Sequence, residues 1–304
     1  MRDEYSSKQV KFRFFNQRIN ICYCSLFVIL LLILSSITFP TPLSEPVDAG
    51  SYLIEFTLPP LLQTLSDDSR SIIFNTSFSV LLPKVTQIRQ NISRFQHQAI
   101  NQIKSITNQE LNEQNLKQYH LLFNGIWINQ LTDRSIHAIE QLSFVKRIEK
   151  DMIISVSNEI NQPRSLSLIS SKDEQINTTT LINDLSQYSG KNVSIAFFDT
   201  GIDYTHPDLS HVYQGGYDFV NNDSDPYDDQ GHGTHVTGIT AAQPPTMTSI
   251  NQHVSGIASN SSVYAYKVLD ENGEGYTSWF LSAFERAMDP NQDGNLSDHH
   301  DIIS

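Results

Sequence analysis

Cysteine is almost missing from this chain. Its 304 residues hold two, Cys22 and Cys24, both inside one apolar stretch near the start, so the rest of the chain can form no disulfide. Taken alone, that leans towards a reducing, intracellular setting. Basic residues are missing from the second part: from Gly190 onward there are 3, against 16 acidic ones. The whole net charge of −13 therefore belongs to that part, and residues 1–189 balance to zero. A nucleic-acid partner calls for a basic face, which this part lacks, whereas its acidity suits calcium and an extracellular enzyme. No acidic residue completes an H-E-x-x-H zinc pattern around His232 and His235, so zinc chemistry has no motif to stand on. Neither G-T-S nor G-x-S-x-G occurs in the printed sequence. What is present is ordinary globular material, 39% hydrophobic and 17% charged, with room for about two domains.

Residues 1–40 read as a targeting segment. Lys8, Lys11, Arg13 and Arg18 precede an apolar core, Ser25–Leu34, and then the small residues Ser35, Ser36 and Thr38, the plan of a secretory signal peptide. The apolar run from Ile19 to Phe39 is also nearly long enough to span a bilayer, so an uncleaved, membrane-attached signal-anchor is the rival reading. Asn-x-Ser/Thr sequons follow at Asn75, Asn91, Asn177, Asn192, Asn222, Asn260 and Asn295. They support passage through a glycosylating compartment, hence a secreted protein or one anchored outside the cytosol.

Residues 41–157 form a small α+β unit. Tyr52, Ile54, Phe56 and Leu58 alternate as one face of a strand. Ile88, Ile92, Phe95, Ala99, Ile103 and Ile106 recur at helical steps, predicting a helix over Val85–Ile106. Tyr119–Leu131 is strand broken at Asn124-Gly125, Thr132 is placed to N-cap a short helix, and Val145–Val156 is a returning strand. The order β-α-β-β-α-β is ferredoxin-like. Residues 158–180, rich in Asn, Gln, Ser and Thr, read as a linker.

The domain from residue 181 opens with an apolar, strand-like run, Val193–Phe198, that delivers Asp199 at its C-terminal end, where open α/β sheets place their sites. An acidic loop, Asp218–Asp229, leads to Gly231-His232-Gly233 at the head of a small-residue helix, Thr234–Ala242. An aspartate and a histidine delivered in this way are two parts of a nucleophilic relay. The carboxylate fixes the imidazole tautomer, and the imidazole takes a proton from a serine. Val263–Leu269 reads as the next strand, Phe280–Met288 as a helix reaching back towards Tyr276. Asp289, Asn291 and Asp293, with Gly294, have the D-x-N-x-D-G spacing of the first half of a calcium loop. No Glu closes that loop at the twelfth position, and a solvated turn is its plain alternative.

Two stretches, Asp199–Leu209 (DTGIDYTHPDL) and Gly231–Ile239 (GHGTHVTGI), resemble the aspartate and histidine boxes of the subtilisin-like serine peptidases, the subtilases. They lie 33 residues apart from Asp199 to His232, in the chain order of that family. The resemblance implies an α/β fold, the N-terminal part only of a parallel-sheet subtilisin-like domain over residues 181–304. Its chemistry is serine endopeptidase activity on protein and peptide substrates, with Asp199 and His232 catalytic and no cofactor required beyond structural calcium. Gly273, Glu274 and Gly275 match the segment that pairs its backbone with extended substrate. Residues 41–157 resemble the inhibitor-I9 propeptide domain of the same family through YLIEF, FNGIWINQLT and FVKRIEKD, implying an intramolecular chaperone and temporary inhibitor whose tail lies in the cleft. Asp301–Ser304 matches the start of the strand before the family's Ser-Leu-Gly wall, so the expectation is a fragment, inactive as written, without its nucleophile. Two other readings stay open: a propeptide-like protease inhibitor, and an inactive pseudoprotease that acts by binding.

Overall fold

The computed structural model describes residues 50–69, 78–156, 189–243 and 255–304. The leader with its cysteines, the linker at 158–180, most of Gln243–His253 and the sequons at Asn75 and Asn177 lie outside these residues. Among the described residues no helix is long and apolar enough to cross a membrane.

The chain first builds β1 (Gly50–Phe56), α1 (Leu61–Ser69), α2 (Phe78–Thr107), β2 (Leu116–Tyr119), β3 (Gly125–Leu131), α3 (Asp133–Glu140) and β4 (Val145–Lys150). The four strands make an antiparallel sheet in the order β2-β3-β1-β4. Period-two alternation sends Ile54, Phe56, Ile126 and Ile128 to one face, where Ala99 and Ile103 of α2 and Ile139 of α3 cover them. Phe56, Phe95 and Phe144 meet edge to face there, with ring centroids 5.6–6.2 Å apart. Thr132 caps α3, its Oγ1 accepting from Ser135 N. Helix α2 begins at Phe78, ahead of the expected Val85, and carries Pro83 inside it. Pro83 lies on the exposed side, near the start of the helix. Helix α1 carries no period that the sequence made conspicuous.

The expected continuous strand Val145–Val156 is broken. After β4 the chain turns at Asp151-Met152, and β5 (Ile153–Ser155) leaves the first sheet altogether. The second unit then follows: β6 (Ser194–Asp199), β7 (Tyr213–Asp218), α4 (His232–Ala241), β8 (Ser262–Lys267), β9 (Glu274–Tyr276), α5 (Thr277–Met288) and β10 (Ile302–Ile303). Strands β10-β6-β8-β7 form a wholly parallel sheet. Ile195 and Phe197 of β6 pack on the side of Ala241 at the end of α4. Ala196 and Phe198 pack on the other side with Ala283 and Ala287 of α5. Both faces are covered, as a parallel sheet requires. Strand β7 leaves no hydrophobic period in the sequence, because Gly215 and Gly216 remove the side-chain signal. A Cβ at Gly216 would collide with the Ala265 carbonyl of β8, so here glycine permits the strand pairing.

The two units meet along α5. No side chain of its own caps this helix; instead Asp151 does, taking Ser278 N at 3.0 Å and Ser278 Oγ at 2.6 Å while holding Trp127 Nε1 at 2.8 Å. The negative charge also suits the positive end of the helix. Asp151→Ala should therefore lower stability by about 2 kcal/mol, the scale of a lost cap and an orphaned indole N–H. Urea unfolding of the whole chain measures it; an unchanged midpoint would show that the cap contributes nothing.

Candidate active site

Strand β6 ends at Asp199 and helix α4 begins at His232, which brings their side chains together. His232 Nδ1 lies 2.7 Å from Asp199 Oδ1 and 2.9 Å from Oδ2. The carboxylate is 12% exposed and the imidazole 41%, so one partner is fixed in the protein while the other reaches the surface. A carboxylate on Nδ1 puts the proton there and leaves Nε2 as the basic nitrogen. Local backbone explains the approach. Gly231, at φ 105°, turns the chain into the helix, and Gly233 lies so close to Gly201 that a Cβ would strike the Gly201 carbonyl oxygen. Any side chain at 233 would push α4 away from Asp199.

Behind this pair stands a layer that sequence reasoning did not single out. Thr200 N donates to Asp199 Oδ1 at 2.7 Å, and Thr200 Oγ1 accepts from Gly233 N at 2.9 Å while donating to Asp228 Oδ1 at 2.8 Å. Asp228 also accepts from the backbone N–H groups of Gln230, Gly231 and Thr234 and from Thr234 Oγ1. Burial pushes its carboxyl up, but those donors outweigh it and hold the group below the usual carboxylate range. Lys267, 1% exposed, ends in three acceptors: Asp229 Oδ1 at 2.6 Å, Thr200 O at 2.7 Å and Leu269 O at 2.9 Å. Every ammonium proton is thus satisfied. A lone lysine inside the apolar stretch VYAYKVL was the available signal, since a fully buried lysine needs partners.

Gly273, Glu274 and Gly275 border β9, which pairs antiparallel with β5. Ile154 faces Gly275, Ser155 faces Glu274, and Val156 N donates to Gly273 O at 3.0 Å. The tail of the first unit thus lies on the segment expected to bind extended substrate. Val156 also approaches Gly273 beside the Gln230 amide, and Gln230 Oε1 accepts from His232 N at 2.9 Å. Asp289, Asn291 and Asp293 fall in the loop after α5. Asn291 Oδ1 and Asp293 Oδ1 accept from Asp293 N and Asn295 N, and Asp289 Oδ2 pairs with Arg89. Among the described residues no three His, Cys, Asp or Glu side chains gather as a metal cluster.

Further along α5, Glu285 accepts from His120 N at 3.0 Å and Leu121 N at 2.7 Å. Burial pushes its carboxyl up to about 7 against the pull of those N–H groups. His120 Nδ1 lies 3.2 Å from Glu285 Oε2. Burial, with help from the Arg89 charge, holds the imidazole down to about 4, so the contact is a hydrogen bond of a neutral ring near pH 7.

A family model described as the subtilase family matches residues 190–304. Residues 190–304 belong to the subtilase family. The thermophilic serine proteinase of Bacillus sp. (strain AK1) is 48% identical over 95 residues, 31% of this chain and 23% of that protein. Subtilisin E of Bacillus subtilis (strain 168) is 45% identical over 107 residues, 35% and 26% of the two chains. The minor extracellular protease Vpr of the same organism is 30% identical over 208 residues, 63% of this chain and 24% of its own. That alignment is longer than 190–304, so the likeness reaches into residues before Gly190. A solved cold adapted subtilisin-like serine proteinase is 32% identical, with a TM-score of 0.29, covering 33% of this chain and 34% of that one. The chain spans between 23% and 26% of the length of the three curated relatives.

The subtilase segment offers a direct test of its second layer. In Asp228→Asn an amide nitrogen would face N–H and O–H donors, costing on the order of 2 kcal/mol at pH 7. Because the folded carboxyl titrates below its unfolded value near about 3.9, its stabilisation is present above that pH. It is lost as pH falls through the lower folded value. The difference between parent and variant in urea unfolding should therefore shrink between pH 7 and pH 3; a constant difference would contradict the network's charge dependence.

Proposed function

We propose that this chain carries the precursor part of a serine-type endopeptidase. Asp199 orients His232, and His232 Nε2 takes the proton of a serine that is not among these 304 residues. The observation that carries the reading is the double contact of His232 Nδ1 with Asp199, at 2.7 and 2.9 Å, inside the subtilase segment. Hydrolysis then belongs to the protein in which this segment is joined to a nucleophile and oxyanion donors. Substrates are extended polypeptides that add a strand to β9 at Gly273, Glu274 and Gly275. The leader and the sequons support a secreted precursor.

Residues 50–156 act in this reading as a propeptide that inhibits in cis. The sheet order β2-β3-β1-β4, with α2 and α3 on one face, supports a ferredoxin-like module of the inhibitor-I9 type, and β5 lying on β9 supports its tail as a substrate mimic.

Sequencing the transcript past the Ser304 codon, then assaying the extended protein on casein, tests the enzyme. Asp199→Asn should lower kcat by about ten-thousandfold, because the imidazole loses its tautomer control. Full activity in that variant, or a residue other than serine at the nucleophile position, would end the proposal. The inhibitor is tested separately by titrating residues 50–156 into subtilisin E. Inhibition at micromolar concentration is expected, and truncation before Ile153 should abolish it; no inhibition by the intact module would refute the substrate-mimic role.

A further inference from the structure

Between the two units lies a cavity of about 420 Å³, walled by α2 and β2 of the first and by β7 and α5 of the second. Three basic side chains line it, Arg89, Lys117 and Arg286, against two carboxylates, Glu285 and Asp289. Both carboxylates already have donors. Glu285 accepts from the His120 and Leu121 amides, and Asp289 Oδ2 accepts from Arg89 Nη2 and from Gly294 N at 3.0 Å each.

The basic groups are less well served. Arg286 lies over the Tyr217 ring at 4.7 Å, which answers part of its charge. No oxygen among the described residues accepts from its N–H fork. Lys117 Nζ lies 5.7 Å over the Trp127 ring, with no carboxylate at ion-pair distance among the described residues, and burial pushes its ammonium down. Arg89 Nε is buried without a hydrogen-bond partner. Donors withdrawn from water cost free energy until something accepts from them.

The setting makes Arg286 conspicuous. From Gly190 onward there are 16 acidic residues and 3 basic ones, yet this half-buried arginine pairs with none of the described carboxylates. Its place in the last turn of α5 suits the helix dipole, which accounts for its charge but not for the open fork beside a cavity. The walls also stay net positive near pH 7, because burial holds Glu285 up to about 7 and keeps His120 neutral. Water can meet single donors there, but it cannot balance the charge. An anion with several oxygens does both, and a guanidinium is the side chain best shaped to hold one.

We infer that this boundary cavity is an oxyanion-binding site for a phosphate or sulfate group, with Arg286 as the principal donor and Lys117 and Arg89 supplying further charge. Its walls come from both units, so an anion held there links them and favours the docked state by mass action. What that linkage does in a precursor rests on the propeptide reading. The site does not, since failure of residues 50–156 to inhibit would remove that reading and leave the binding intact.

Isothermal titration of sodium phosphate, and separately of sodium sulfate, into the whole chain at pH 7 is compared with sodium chloride at equal ionic strength. The parent, Arg286→Gln and Lys117→Gln are used, each first shown to be folded by circular dichroism. The parent should bind at least one of the two oxyanions saturably, and chloride not at all. Arg286→Gln should weaken binding at least about tenfold, the scale of one lost charge-assisted hydrogen bond, and Lys117→Gln should weaken it less. No saturable binding of either oxyanion by the parent overturns the inference, as does equal affinity in parent and Arg286→Gln. Should Arg286→Gln fail to fold, the Arg286 side-chain N–H resonance of the parent decides. It must shift saturably with the oxyanion and not with chloride; a resonance that does not respond also overturns the site.

Discussion

An imidazole and a carboxylate 33 residues apart in sequence can share a proton only if a strand end and a helix start are held at one separation. Neither group fixes that separation itself. The work falls to backbone N–H groups and to a second carboxylate: Thr200 binds Asp199, Gly233 and Asp228 at once, and Asp228 gathers the turn that becomes α4. Lys267 ties the same turn to the end of β8 from beneath. The parallel sheet supplies a rigid base for all of this, because β6 is flanked on both edges and covered on both faces. The exposed edge of His232 is thus carried on a support with few free degrees of motion, as preorganised proton transfer requires.

Docking of the first unit follows a different logic. Its attachments are largely polar and directed at backbone groups: Asp151 at the start of α5, and Glu285 of α5 at the His120 and Leu121 amides. Tyr119 Oη adds a bond to the Ser278 carbonyl at 3.1 Å. Apolar contact crosses the boundary where Met288 and Leu296 join Leu61, Leu65, Val85, Ile92 and Leu121, and where Val156 packs on the cluster of Phe198, Val268 and Leu269. Helix ends are natural targets for such contacts, since their N–H and C=O groups lack partners within the helix. The tail β5 adds strand pairing on β9. Pairing built from backbone complementarity is tolerant of side-chain identity at the tail.

How much of this could be read beforehand depended on whether the cause was local. The Asp199 and His232 stretches were legible because a strand end, a glycine turn and a small-residue helix each leave a short signature. The α2 and α3 cores were legible through helical spacing, and Thr132 through its capping position. Strand β7 was not, because Gly215-Gly216 serves a close approach to Ala265 rather than a hydrophobic pattern. Nor was the break after β4: Asp151 turns the chain towards Ser278, a partner 127 residues away, and nothing within Val145–Val156 announces it. Lys267 lay between these cases, visible as an oddity in an apolar strand but without a stated partner. Arg89 and Asp289, 200 residues apart, were beyond any local rule.

The charge asymmetry noted in the sequence acquires a structural reason from that last pair. An acidic subtilase segment repels itself, and each buried carboxylate in it needs either donors or a cation. Asp228 is supplied with donors from its own segment, so its network is complete whatever else is bound. Glu285 is supplied with amides of the first unit, and Asp289 with its guanidinium beside the Gly294 N–H of its own loop. Asp228, satisfied within its own segment, supports the His232–Asp199 pair, while Glu285 and Asp289, which draw on the first unit, line the boundary. Boundary carboxylates that take donors from the partner make docking specific while adding little net stability, because desolvating each charge offsets most of its attraction. Such an arrangement ties the first unit to α5 through groups separate from those that hold Asp199 to His232.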